Sequence, residues 1–209
     1  MERVTFFTAA TESTRGFPQY LASCVRHGIE PRVLGIGQKW RGFTHKIILI
    51  REQLDHLDDD ELILMSDGYD VVFQKGPREI IEAFLSYQKP LVISAERGEG
   101  YEGLSNILLP ETPNPLYRSL NSGLWMAYVG AARDVIDEMW ECSLEEDLFS
   151  DQKMFYRWYA QNQERATVDY ENVLVTSTNY KCVDEDLDYR DGLVSNKHTG
   201  TVPCAVHLS

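Results

Sequence analysis

A chain of 209 residues is long enough to bury one sizeable core, and a hydrophobic fraction of 43% with 11% aromatics excludes a disordered polypeptide. A formal charge of −13 without clustered Lys and Arg excludes a nucleic-acid partner, because phosphate contacts need a basic face. No apolar run approaches the roughly 18 residues that span a bilayer, and the opening MERVTFF lacks the basic, apolar and small-residue zones of a signal peptide, so a cytoplasmic location is expected.

In chain order, residues 4–8 form a short apolar and β-branched run that reads as a first strand, followed by the small-residue loop TAATEST. Phe17, Tyr20, Leu21, Cys24 and Val25 fall at helical spacing, with Pro18 near the start and Gly28 just past the end. Residues 31–36 read as a second strand. The loop GIGQKWRGFTHK then leads to a helix whose apolar face is Ile47, Ile50, Leu54 and Leu57, ending near Asp58. The stretch ELILMSDGYDVVFQ is an apolar strand, a polar break over 66–70 and a second apolar run. A helix from Pro77 places Ile80, Ile81, Phe84 and Leu85 on its buried side, and residues 91–95 form the next strand. Residues 97–115, rich in Gly, Glu, Asn and Pro, read as a long loop. Beyond it come a strand over 123–128, a helix over 131–140 and a helix starting near Asp151. The last third is less regular, with strands at 173–176 and 205–208.

Strands that alternate with helices predict an α/β fold on a mostly parallel, twisted sheet flanked by helices, in which ligands gather at the strand carboxyl ends. The loops after Thr8, Ile36, Ser66 and Ala95 then converge on one site. Residues 1–209 read as a single domain. The tail stops inside a strand-like run, which is consistent with one domain of a longer polypeptide. Cys24, Cys142, Cys182 and Cys204 are far apart with no CxxC pair, and read as buried free thiols.

An acidic protein that binds a nucleoside diphosphate needs a cation between the two, which directs attention to carboxylates. Asp67 and Asp70 follow the apolar ELILM run, at a strand's carboxyl end. Residues three apart on a regular strand face opposite ways, so both reach one ion only if the chain turns between them, which Gly68 allows. Two carboxylates with the imidazole of His207 make a set that Mn2+ or Mg2+ accepts, leaving positions open for diphosphate oxygens. By spacing alone, an acidic surface turn with capping carboxylates is an equal reading. His207 alone is more often an ordinary strand residue. Trp40 and Tyr69 lie in loops expected to meet at the strand ends, where a nucleobase can stack, or are boundary aromatics. The GIGQ stretch lacks the features of a phosphate loop.

Eight segments in order, VTFFTAATESTRGF, LGIGQKW, the lysine of FTHK, LMSDGYDVVF, VISAE, LNSG, DQKMFY and the final VH, resemble the glycosyltransferase domain of the procollagen lysyl hydroxylase and collagen galactosyl- and glucosyltransferase type. Small glycosyltransferases of large DNA viruses, including those of algae, look similar, and for a viral chain the expected location is the host cytoplasm. The resemblance implies a GT-A-like fold, a UDP-sugar donor, a glycan or glycoprotein acceptor and transfer with retention. It also implies Asp67, Asp70 and His207 as metal ligands, Trp40 and Tyr69 as aromatic contacts to the uridine, and Thr8 and Thr11 on the loop that receives the nucleoside. Lys46 then lies near the nucleotide, where its charge offsets phosphate, the alternative being a helix-surface cation; Asn121 and Ser122 line the donor sugar with Gly123 letting the backbone pass close, the alternative being an ordinary turn before a strand; and Asp151 and Gln152 face the sugar from a helix start. Glu96 and Asp151 are candidates for a base if the outcome is inversion. One departure is Ser150, where the collagen-modifying enzymes carry an Asp, which puts a collagen-type acceptor in doubt. The competing expectations are a non-catalytic nucleotide-sugar or carbohydrate-binding module and, ranked last, a nucleotidyltransferase.

Overall fold

The computed structural model describes residues 3–98, 114, 116–146, 150–178 and 183–208, with 142–146 described by backbone alone. The chain runs β1 (Val4–Ala9), α1 (Phe17–Arg26), β2 (Pro31–Leu34), α2 (Thr44–Leu54), β3 (Leu62–Asp67), β4 (Val71–Phe73), α3 (Pro77–Ser86), β5 (Leu91–Glu96) and β6 (Ser119–Tyr128). It continues through α4 (Val129–Glu146), α5 (Asp151–Gln161), β7 (Thr167–Asp169), β8 (Val175–Thr178), α6 (Val183–Asp186), β9 (Leu187–Arg190), β10 (Leu193–Asn196) and β11 (Ala205–Leu208).

The main sheet has the order β2-β1-β3-β6-β5-β8-β11-β4, with β7 also on β5. The expected mostly parallel sheet is present: β1 runs parallel to β2 and β3, β5 to β7 and β8, and β8 to β11. β6 is antiparallel to both β3 and β5, and β4 is antiparallel to β11. Alternation along the central strands divides the core into two layers. Phe7, Ile63, Met65, Ile93 and Trp125 face α2, α4 and α5. Phe6, Leu62, Leu64, Val92 and Met126 face the side that α1 and α3 cover. Because both faces of β3 are covered, its sequence is an unbroken apolar run until Ser66.

Several elements differ from expectation. Val25 is 80% exposed: it lies a quarter-turn off the α1 stripe of Phe17, Tyr20 and Cys24. On α3 only Ile80 and Phe84 are fully buried, while Leu85 is exposed. α2 stops at Leu54, leaving Leu57 packed on the core from the following turn. β6 begins at Ser119, so Leu-Asn-Ser-Gly lies within a strand instead of a turn before one. Its register on β5 shifts between Ile93↔Trp125 and Ser94↔Asn121, a bulge that takes up residues 122–124. The stretch read as irregular holds α6 and a hairpin of β9 and β10, turning at Asp191 and Gly192, both with positive φ. Cys24 and Cys204 are buried free thiols, as expected; the Cys142 side chain and Cys182 lie outside the described residues, as do residues 99–113 of the long loop.

The start of β8 is held by a buried carboxylate. Asp169 accepts hydrogen bonds from the amides of Val173 (2.7 Å), Leu174 (2.9 Å) and Val175 (2.8 Å), and from the Tyr87 hydroxyl. Removing it strands the buried amides of Leu174 and Val175 and the part-buried amide of Val173, so Asp169→Ala is expected to cost about 2–4 kcal/mol. Urea unfolding checks this as a lower midpoint at unchanged slope.

Candidate active site

β1 and β3 lie side by side with Ala9 opposite Asp67, so their carboxyl ends open at one place. The turn after β3 carries Gly68, Tyr69 and Asp70. Gly68 is needed there for space, not for a special dihedral: a Cβ would stand 2.7 Å from Thr8 Oγ1. Asp70 immediately precedes β4, and β4 pairs with β11 so that His207 lies opposite Val71. Register alone therefore sets His207 beside Asp70, and the Leu208 amide donates to the Asp70 carbonyl at 3.0 Å.

One ligand atom from each of Asp67, Asp70 and His207 lies within 4.8 Å of the others. His207 Nε2 is 3.5 Å from Asp70 Oδ1 and 3.9 Å from Asp67 Oδ2. Its Nδ1 is 3.2 Å from Ser177 Oγ on β8. A proton on Nδ1 donated to Ser177 leaves Nε2 with a bare lone pair, the state a metal ligand needs. Asp70 Oδ1 is buried without a hydrogen-bond partner among the described residues. An orphaned carboxylate oxygen facing an imidazole nitrogen, with a second carboxylate beside them, is a donor set that could hold a metal ion.

Lys46, on the first turn of α2, is buried and reaches two carboxylates at 2.7 Å each, Asp67 and Asp151. Burial opposes its charge, but Asp151 and Asp67 outweigh that and hold the ammonium above its usual range. Burial likewise pushes the Asp67 carboxyl upward, against the pull of Lys46 and His207. A helix-surface role for Lys46 is thereby excluded. Lys46→Met leaves the buried Asp151 and the part-buried Asp67 without their cation, and a loss of about 2–4 kcal/mol is expected. Thermal unfolding across pH checks it: without Lys46 the upward push of burial on the Asp67 carboxyl is less opposed, so it binds its proton more tightly folded than unfolded, and the deficit is full at neutral pH and narrows as pH falls.

A pocket of about 440 Å³ opens beside this cluster, within the ordinary range for small-ligand sites. Thr11, Trp40, Lys46 and Tyr69 line it, as do Asp67 and Asp70. The Tyr69 hydroxyl accepts from the amides of Thr11 and Glu12 and donates to the Glu12 carbonyl, each at 3.1 Å, which fixes the ring. Thr8 does not share the wall. It lies inside β1, wholly buried, because the strand runs on to Ala9 before the loop begins.

On the other side of His207, Glu96 ends β5. Its two oxygens accept from Asn121 Nδ2 (2.7 Å) and Gln152 Nε2 (2.9 Å), and burial pushes its carboxyl upward against those two bonds. Gln152 Nε2 also donates to the Leu120 carbonyl. Asn121 Oδ1 accepts from the Gly123 amide at 2.7 Å, so this side chain also staples the bulge. Ser122 is buried in that bulge. A Cβ on Gly123 would lie 2.2 Å from His207 Cε1, so the missing side chain makes room for the imidazole, where the sequence suggested room for a sugar. Asp151 is buried at the α5 start, after the N-cap Ser150. Sequence reasoning missed Ser177 and the Gly123 packing, since neither signals anything until β8, β11 and β6 are side by side.

The family model described as the PLOD GT domain matches residues 1–209. The chain is similar to the procollagen-lysine,2-oxoglutarate 5-dioxygenase of Drosophila melanogaster, 28% identical over 99% of this chain and 30% of that protein. It is similar to an uncharacterised protein of Acanthamoeba polyphaga mimivirus, 26% identical over 95% of this chain and 44% of that one. It thus spans less than half the length of either relative. Two solved structures share the fold. One is a glycosyltransferase involved in glycosylation of the major capsid of PBCV-1, with a TM-score of 0.56 and 15% identity over 98% of this chain and 91% of that one. The other is the galactosyltransferase LgtC in complex with donor and acceptor sugar analogues, with a TM-score of 0.57 and 14% identity over 98% of this chain and 86% of that one.

Proposed function

The chain belongs to the PLOD GT domain family, a glycosyltransferase domain, and from that premise we propose that it transfers a sugar from a UDP-sugar to a hydroxyl of a glycan or glycoprotein acceptor, with a divalent cation and with retention. One observation carries the reading: Asp67, Asp70 and His207 converge beside a nucleotide-sized pocket, with Asp70 Oδ1 buried and without a hydrogen-bond partner among the described residues. These three residues would hold Mn2+ or Mg2+. Such an ion, when bound, stabilises the negative charge that develops on a departing diphosphate.

The protein's own groups do the rest. Trp40 and Tyr69 receive the uracil on the pocket wall, with Thr11 beside them, and Tyr69 is pre-set by its bonds to the 11–12 backbone. Lys46 favours the charged form of Asp67 against its burial and fixes Asp151 at the α5 start. Glu96, Asn121 and Gln152 form the sugar side with Ser122. With an amide donor on each oxygen, Glu96 is a fixed negative charge that steadies a sugar gaining oxocarbenium character, not a free base. Residues 1–209 act as one domain in this account.

A UDP-release assay over a panel of UDP-sugars and acceptors with Mn2+ tests the proposal. Release with at least one donor, abolished by EDTA, supports it. Tight donor binding without release across the panel points instead to a non-catalytic nucleotide-sugar module.

A further inference from the structure

Two cations stand on the wall of the pocket, Lys46 and Arg15. The Lys46 charge is already answered by Asp67 and Asp151 at 2.7 Å each. Arg15 is exposed on the pocket side and makes no ion pair among the described residues. A nucleoside diphosphate entering here meets Asp67, Asp70 and Glu12 on the same wall, so positive charge is what the wall lacks.

The backbone at Arg15 adds an independent observation. Its φ is 57, in the left-handed region that a residue with a Cβ adopts only at a cost. The other described non-glycine residues there have local reasons: Gln88 follows the end of α3, Asn172 is of a type that tolerates the region, and Asp191 turns a hairpin. The turn at Arg15 lets Gly16 press on the Tyr69 carbonyl, where a Cβ would stand 1.6 Å from the oxygen. The Tyr69 hydroxyl meanwhile holds the amides of Thr11 and Glu12. The 11–16 loop is thus fastened at both ends to Tyr69, which lies between Asp67 and Asp70 in the turn, and Arg15 is held over the same pocket.

We propose that the Arg15 guanidinium binds a phosphate oxygen of the nucleoside diphosphate, supplying the positive charge that Lys46 has committed elsewhere. This rests on the donor reading above. UDP and uridine are titrated separately, with Mn2+, into the wild type, Arg15→Ala, Arg15→Gly and Arg15→Lys. The Ala and Gly variants weaken UDP about 10- to 30-fold, the worth of a charge-assisted contact. Uridine and Mn2+ affinity stay unchanged, the melting temperature holds in Ala and rises in Gly, which takes the left-handed turn without cost, and Lys restores part of the UDP loss. The Gly variant removes the charge without the backbone cost, so a loss confined to Ala would assign the effect to the turn and overturn the proposal. Unchanged UDP affinity in Ala, or an equal loss for uridine, overturns it as well. A wild type that binds UDP while Ala does too at full strength sinks Arg15 alone; a wild type that binds no UDP sinks the donor reading with it.

Discussion

Asp70→Ala is expected to eliminate turnover while leaving the fold intact. The side chain is the most exposed of the three in the cluster, its Oδ1 has no hydrogen-bond partner among the described residues, and its charge disfavours ionisation of Asp67. Removing it therefore costs the fold little, within about 1 kcal/mol. Function depends on it far more, because a site with one carboxylate and one imidazole holds a divalent ion poorly. Several kcal/mol of charge stabilisation on the leaving diphosphate go with the ion, a rate loss of at least about a thousandfold. UDP release measured beside thermal unfolding separates the two effects. Asp67→Ala would not separate them so well, since it also removes a carboxylate from Lys46.

The second large effect comes from a residue with no side chain. Gly123→Ala places a methyl 2.2 Å from His207 Cε1 and 2.8 Å from Nε2. The imidazole cannot yield easily: it is buried, held by Ser177, and its strand is paired on both edges. The expected result is displacement of Nε2 from the two carboxylates, about 1–3 kcal/mol of destabilisation from overpacking, and loss of Mn2+ binding in proportion to the displacement. Mn2+ titration followed by electron paramagnetic resonance measures the last of these. Full Mn2+ affinity in this variant would mean that His207 is not a ligand.

The fold was legible where patterning is local. The ELILM run, the DGYD turn, the Pro18 start and the Gly28 stop of α1 are all as the sequence suggests; Gly28 has φ 67, just past the last turn. Legibility failed where polar residues sit inside elements. Asn121, Ser122 and Gly123 look like a turn because a strand with three such residues breaks alternation. The bulge against Ile93 and Ser94, with Asn121 accepting from Gly123, satisfies them inside the sheet. The β9–β10 hairpin carried a readable signal in Asp191-Gly192, but its flanking strands hold Asp188, Arg190 and Ser195 and show no apolar alternation.

The site was legible in its parts and not in its assembly. Spacing left Asp67 and Asp70 undecided between a cation site and a surface turn, and gave no reason to join them to a histidine 137 positions beyond Asp70. That link is made by the antiparallel register of β11 on β4, a long-range pairing that local pattern cannot disclose. Lys46 shows the opposite case. Its helix position suggested a surface cation and the family resemblance a phosphate contact, whereas burial between Asp67 and Asp151 makes it the brace of the site.

The central claim is that Asp67, Asp70 and His207 bind a divalent ion through which the donor's diphosphate is held. Calorimetric titration of UDP into the protein, with Mn2+ and again with EDTA, tests it most directly. Binding that requires Mn2+ and disappears in both EDTA and Asp70→Ala is the predicted result; UDP binding of equal strength with and without the metal would contradict it.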